Sequence, residues 1–476
     1  MIANTWDRGV SIGAEYGSDA LDISKSVYTV ARQDGAPVYT LLEGPLPPGQ
    51  LAIVFLAFDK AIGEYECPPS VTPALSFDPI THHTARTKAF RIKTDAPVSA
   101  YSIAPYGGAR SYEPAATLLL PVSSWAKNYV AVSPGFGTSQ WSTDPRLRTL
   151  QIIASEDDTE VSIRPNVDLR TVGEITGGSA GAPVSFKLDR GQVLQIAQEE
   201  LTGSPIEASR PVGLFGGAEC SFLPADVAAC DMLQQQIPPL SHWGTEYAVV
   251  PYPPRIDSLS PNIREMVPYS IVGAVDGTVL TYEPSRPRNA PETIGAGQSL
   301  SFITDEVFVV RSQDSKHPFY VGTYMTGAEW NLRGENGQEG TITLGDPEFV
   351  NVQAADQYLD RYIFMTDFTF PDTALTVIRR RSADGFMPVE LECGGEITGF
   401  RPLGSSGKYE YAWVRLTTGF TESFAKGGCS SYGRQEVRSK GPFAITVWGL
   451  GWYASYGYVG GTGLRPINDA VPPPVK

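Results

Sequence analysis

Three consecutive carboxylates, Glu156, Asp157 and Asp158 in "SEDDTE", are the densest oxygen donors in this chain of 476 residues. A hard cation takes such oxygens from a loop, which makes the turn a candidate Ca²⁺ site. A solvated turn between two strands uses the same residues, and the comparable turns at Asp276 and Asp372 lack the extra acids. Asp226 and Asp231 flank Cys230 and read either as an acid pair or as charge at a helix end. His82 and His83 are adjacent, so in a strand they face opposite ways and do not chelate together. His242 precedes Trp243 and His317 precedes Pro318, places that suit packing or strand entry. "GGSAG" around Ser179 matches G-x-S-x-G, but a nucleophile elbow needs a helix next, and "APVSFKLDRG" reads as a strand. The residues therefore assign no catalytic group, no resident metal and no cofactor.

The cysteines number five. Cys220 and Cys230 are near neighbours, Cys393 and Cys429 share the last quarter, and Cys67 has no evident partner. Two disulfides and a spare thiol suit an oxidising compartment; five free thiols suit a reducing one. No C-x-x-C occurs, which argues against a thiolate metal site. A bridged loop presents side chains at lower entropic cost, so the Cys220 to Cys230 loop, with Phe222 and Asp226, is the expected contact element. "VWGLGWYASYGYVGG" puts Trp448, Trp452, Tyr456 and Tyr458 on one parity, so one extended strand would show all of them on one face. Such a face stacks on a sugar or protein partner, or else it packs into a core.

Bulk properties narrow the partner. A net charge of −15 repels phosphate backbones and disfavours nucleic acid. The longest apolar run, Leu51 to Phe58, is a strand's length and too short to cross a membrane. "MIANTWDRG" has no signal-peptide character, and "NDAVPPPVK" reads as a linker, so the expectation is a mature fragment of an extracellular or cell-surface protein. The sequence sets no oligomeric state.

The elements that position these groups are strands. With 48 glycines, 39 prolines, 22 tyrosines and 20 phenylalanines, the composition is that of short strands and many turns. The best helical candidate is the short Asp226–Ile237 stretch. One phrase recurs: "APVSAYSIAPYGG", "RPVGLFGGAEC", "HPFYVGTYMTG" and "GPFAITVWGLG", opening at Pro97, Pro211, Pro318 and Pro442. Three further landmarks precede it in fixed order. They are a strand-opening tyrosine (Tyr28, Tyr129, Tyr247, Tyr362), an aspartate turn (Asp34, Asp158, Asp276, Asp372) and a glycine turn (Gly49, Gly191, Gly297, Gly407). Repeats of this period predict an all-β fold of four tandem antiparallel β-sandwich modules, jelly-roll-like and with little helix. A β-propeller-like arrangement is the alternative. The modules are expected at 18–112, 113–235, 236–340 and 341–465, followed by a tail at 466–476.

The strings "LLLPVSSWAKNYVAVSP", "LDRGQVLQIAQEELTGSPIEASRPVGLFGG" and "AACDMLQQQIPPLSHWGTEYAVVPYP" resemble the IgGFc-binding protein N-terminal domain family, in a bacterial-type relative. The resemblance implies an extracellular binding or adhesive module and no catalysis, and it supports a Cys220–Cys230 bridge. It does not imply immunoglobulin as the ligand. The expected function is recognition of an extracellular protein or glycan through loops and module joints. The alternatives are a carbohydrate-active hydrolase on a β-scaffold or a structural subunit of a surface layer or appendage.

Overall fold

The computed structural model describes residues 1–33, 35–61, 67–134, 148–198, 200–225, 230–255, 265–328, 331–333, 339–341, 344–424 and 429–475. Its elements are strands, with only short 3₁₀ turns as helical structure among the described residues.

The first group is β1 (Ile2–Ala3), β2 (Ile12–Tyr16), β3 (Asp19–Leu21), β4 (Val27–Gln33), β5 (Ala36–Leu41), β6 (Leu51–Val54), β7 (Ala85–Lys88), β8 (Phe90–Thr94), β9 (Ser99–Ala104) and β10 (Ala115–Leu119). The second is β11 (Ala126–Val130), β12 (Arg148–Ala154), β13 (Thr159–Ile163), β14 (Val184–Leu188), β15 (Gln192–Gln198), β16 (Pro205–Ser221) and β17 (Asp231–Ile237). The third is β18 (Glu246–Val249), β19 (Val267–Gly273), β20 (Thr278–Glu283), β21 (Thr293–Ile294), β22 (Ser299–Thr304), β23 (Phe308–Ser312), β24 (Phe319–Met325), β25 (Asn331–Arg333), β26 (Glu339–Thr341) and β27 (Glu348–Asn351). The fourth is β28 (Leu359–Thr366), β29 (Asp372–Arg380), β30 (Val389–Leu391), β31 (Gly395–Glu396), β32 (Arg401–Leu403), β33 (Tyr409–Thr418), β34 (Thr421–Glu422), β35 (Gly433–Gly451) and β36 (Ala454–Val459).

The third group shows the plan. Two antiparallel sheets, β18-β23-β20-β21 and β22-β19-β24-β27, face each other as a sandwich. In the second group one long strand serves both sheets. The start of β16 pairs with β11 and β13, and its end pairs with β12 and β17. In the fourth, β35 pairs first with β28 and β30, then with β29 and β36. Pro211 and Pro442 sit at the crossing between sheets, and Pro318 opens β24 at the same place. A residue without an N–H is cheap where the ladder changes partner. Beyond the proline both faces are covered, which is why the run is apolar on both parities.

The landmark tyrosines clip the first strand to that crossing. Tyr129 Oη donates to Val212 O at 2.7 Å, Tyr247 Oη to Phe319 O at 2.6 Å and Tyr362 Oη to Phe443 O at 2.5 Å. Each acceptor is the residue after the proline. Each hydroxyl also accepts a backbone N–H three residues upstream, from Ala126, Gly244 and Leu359. The glycine turns behave as expected: Gly49, Gly191, Gly297 and Gly407 have φ of 67°, 77°, 70° and 66°.

Some landmarks moved. In the first group β1, β6, β9 and β10 pair as β12, β15, the end of β16 and β17 do, and β2, β3 and β8 pair as β13, β14 and the start of β16 do. Strands β1 and β2 thus belong to this unit, ahead of residue 18. Tyr28 lies in β4, part of an added hairpin beside β6, and its hydroxyl bonds Lys25 O at 2.9 Å. A tyrosine at a strand start is no more than a strand signal unless its hydroxyl reaches the crossing. Asp34 lies outside the described residues. Asp372 opens β29 rather than turning between strands; the corresponding turn holds Asp384 and Gly385, with φ of 100° at the glycine and a bridge from Ser382 to Gly385. The helical candidate is strand where described, because Leu233 to Ile237 pair with Ala218 back to Leu214. Tertiary pairing overrides a weak local period. The tail is held against the third unit, with Asn468 Nδ2 donating to Leu240 O at 2.8 Å and Trp243 O at 2.9 Å.

The units close into a ring. Strands β10, β17, β27 and β36 pack side by side around its centre, with β36 returning to β10. Gln235 Nε2 donates to Ala116 O at 2.7 Å, Asn351 Nδ2 to Gln236 O at 2.9 Å and Gly457 N to Glu348 Oε2 at 2.9 Å. An outer seam repeats head to tail. Gly191 abuts Gly17, Gly297 abuts Gly203, the N–H groups of Ser405 and Ser406 bond Glu283 Oε2, and Arg434 bonds Gly49 O. At Gly203, φ is 96° and a Cβ would stand 1.8 Å from Gly297 O, so the joint admits only glycine. Heterologous joints of this kind form a ring when the rotation closes.

Candidate functional site

The four central strands run in one sense along the ring axis. Their starts lie near Glu113, Asp231, Asp346 and Ser455; their ends lie near Leu118, Gln236, Asn351 and Val459. The described parts of the connections that enter them, 105–114, 222–225, 326–328, 344–347 and 452–453, therefore gather at one end. Their contacts show it: Gly327 N donates to Leu223 O at 2.6 Å, Gly345 N donates to Gly451 O at 2.7 Å, and Leu344 bridges Trp452. The Tyr112 and Trp452 rings meet edge to face at 5.9 Å. Trp452 is 61% exposed and Tyr112 42%. Tyr112 and Tyr453 have φ of 63° and 50°, a left-handed backbone that side chains adopt at a cost. The result is a crown of loops with an aromatic pair facing solvent.

Two disulfides brace the loops. Cys220 and Cys230 join the end of β16 to the start of β17 with Cα atoms 5.2 Å apart, and Cys393 pairs with Cys429 at 5.6 Å. Cys67 is the free cysteine among the described residues. Non-reducing peptide mapping should return these two crosslinks and one alkylatable thiol; scrambled pairs or five alkylated cysteines would refute the arrangement. Phe222 is half-buried at the loop root, and Asp226 lies outside the described residues.

Beneath the crown, Asp231, Asp346 and Glu348 are fully buried. Asp231 accepts Met232 N through Oδ1 at 2.8 Å, while its Oδ2 has no partner. Burial, reinforced by the neighbouring Asp346 and Glu348, pushes the Asp231 carboxyl well above the ordinary range. Burial raises Glu348 likewise, although its oxygens accept Phe349 N and Gly457 N. Beside them Arg255 ties the longest loop down, donating to Thr326 O at 2.9 Å, Leu344 O at 3.0 Å and, through Nε, Glu265 Oε1 at 2.8 Å. These acids are buried in the floor beneath the crown loops.

Of the aromatic four, the structure brings one to the surface. Trp448, Tyr456 and Tyr458 are buried. Trp448 Nε1 donates to Thr376 Oγ1 at 3.1 Å, Tyr458 Oη to Met365 O at 2.5 Å, and Tyr456 Oη accepts Asp367 N at 3.0 Å. The single extended strand is in fact the hairpin β35–β36, turned at Trp452 and Tyr453, so shared parity does not mean a shared face. Tyr112 was missed. Its signal was positional, since it follows the closing glycines of the first phrase as Trp452 follows those of the last. The acidic turn is spoken for: Glu156 pairs with Arg210 at 2.7 Å, Asp157 accepts Arg190 N at 3.1 Å, and Asp158 meets Lys187 at 2.6 Å. Its three carboxylates point to three partners, and among the described residues no group of three or more His, Cys, Asp or Glu is placed to hold a metal ion. Among those residues no helix is long and apolar enough to cross a membrane. At the other end of the axis lies an apolar cavity lined by Leu118, Leu120, Pro238, Tyr320, Val352 and Val459.

Comparison with known sequences completes the site. The family model described as IgGFc binding protein matches residues 115–449. The human IgGFc-binding protein is 24% identical over 305 residues, which is 63% of this chain and 5% of the human protein. The chain thus spans about a twentieth of that relative. No solved structure matches.

Proposed function

Because the chain belongs to the IgGFc binding protein family, we propose that it is a secreted or surface-displayed binding protein whose crown of loops meets an extracellular protein, a glycan being the second choice. The observation that carries this reading is Trp452, 61% exposed and braced by Tyr112, among loops that four modules bring to one place. Exposed aromatics on a rigid scaffold are the usual anchors of binding surfaces. The disulfides support an extracellular setting. Phe222, half-buried at the root of the bridged loop, extends the proposed contact surface. Two observations favour binding over the other readings. Asp231, Asp346 and Glu348 are buried beneath the crown, out of a substrate's reach, while Glu113 beside Tyr112 is exposed. The repeated joint closes within one chain, which leaves no such joint open for a layer or filament.

The test is an array of immunoglobulin Fc, mucins and glycans probed with the intact chain and with Trp452→Ser/Tyr112→Ser. The expected result is saturable binding that the double variant weakens by about tenfold or more at an unchanged unfolding temperature. Binding indifferent to the variant would move the site elsewhere, and turnover of a glycan without saturable binding would overturn the reading.

A further inference from the structure

The first module differs from its three sisters at one sheet position. In the others the start of the crossing strand has partners on both edges: β16 between β11 and β13, β23 between β18 and β20, and β35 between β28 and β30. In the first module the corresponding strand, β8, pairs with β2 alone, and among the described residues no backbone group bonds its second edge. The register identifies the open position. Ile206 faces Tyr129 and Val437 faces Tyr362, each five residues before its proline; Ile92 stands five before Pro97. Ile206, Val310 and Val437 are buried by their tyrosines' strands, whereas Ile92 is half-buried, as are Ile12 and Val98 around it.

The charge beside the slot selects its occupant. In the third module Glu246, next to the clipping tyrosine, stands in register with Arg311, although its carboxylate bonds Lys408 and Tyr409. In the first, the residue after Ile92 is Lys93, and Lys93, Arg91 and Arg190 all converge on the single carboxylate of Glu15. Three cations share one acid, which leaves positive charge in excess around Arg91 and Lys93 of β8. An arriving strand must therefore carry an aromatic residue inward and an acid beside it. Strand addition supplies main-chain bonds for affinity and alternate side chains for specificity.

We propose that the first module binds an extended acidic segment of a partner protein, which adds as a strand along the free edge of β8 with an aromatic side chain over Ile92 and a carboxylate at Lys93. This site is separate from the crown and stands or falls apart from it.

The probe is the synthetic peptide WGTEYAVV, the sequence of residues 243–250, added to the full chain. Hydrogen exchange should slow at residues 90–94 on peptide addition. Replacing the peptide's tyrosine by serine should weaken binding about tenfold. Replacing its glutamate by lysine should weaken it about fivefold. Lys93→Glu, an exposed position, should reverse that last preference, favouring the lysine peptide. No protection at 90–94 with millimolar peptide, protection confined to other strands, or a charge preference unmoved by Lys93→Glu would each overturn the proposal.

Discussion

Arg255→Met should lower the stability of the folded chain by about 3–5 kcal/mol, the usual consequence of leaving one partner of a buried ion pair behind. Arg255 and Glu265 have side chains 0% and 3% exposed. Glu265 also accepts Tyr252 Oη at 2.5 Å, so removing the guanidinium strands a buried carboxylate whose remaining partners do not neutralise it. The arginine's bonds to Thr326 and Leu344 hold both feet of the third crown loop, so the same variant should also speed exchange at 326–328 and 344–346. The double variant Arg255→Met/Glu265→Met should be the milder of the two, because no buried charge is left unpaired. Chemical denaturation of the three proteins decides it; a double variant less stable than Arg255→Met would show that the pair is worth more than its desolvation.

Asp231 should contribute less to stability as pH rises from about 4 toward neutrality. Its carboxyl is raised in the folded chain by burial and by Asp346 and Glu348, above the 3.8 of an unfolded aspartate. The folded state therefore holds a proton that the unfolded state has released. The contribution is fully present below the unfolded value and is lost with increasing pH until the folded value is passed. The slope is about 1.4 kcal/mol per pH unit for each retained proton. Asp231→Asn keeps an oxygen for Met232 N and removes the titrating group. The variant should match the parent near pH 4, exceed it at pH 7 and flatten the profile. Unfolding temperatures measured across that range check the sign, and a variant that is less stable at pH 7 would refute it.

How much of this was legible depends on whether the signal was local. Gly191 and Gly297 announced a left-handed turn because no other residue takes that φ without strain, and both turns are where the spacing put them. Pro211 and Pro442 open the recurring phrase, and each sits within a long strand where it changes sheet. Tyr28 and Asp372 misled because a tyrosine before an apolar run, or an aspartate before a threonine, suits several strand contexts; only the partner of the hydroxyl or carboxyl separates them. The crown was half visible. Trp452 was named with three residues that lie buried, and Tyr112 was passed over, since a parity count cannot see a chain reversal.

From composition, turns and the recurring phrase, the chain alone determined its class and its fourfold repetition, because each depends on backbone preferences and contacts within one module; the cysteine pairing stayed open between two bridges and free thiols until the structure joined them. Ring closure, the burial of Trp448 against the exposure of Trp452, the acids under the crown and the open edge of β8 were decided by tertiary structure. They follow from how one module's surface meets the next, and exposure at such a joint is set by residues hundreds of positions away.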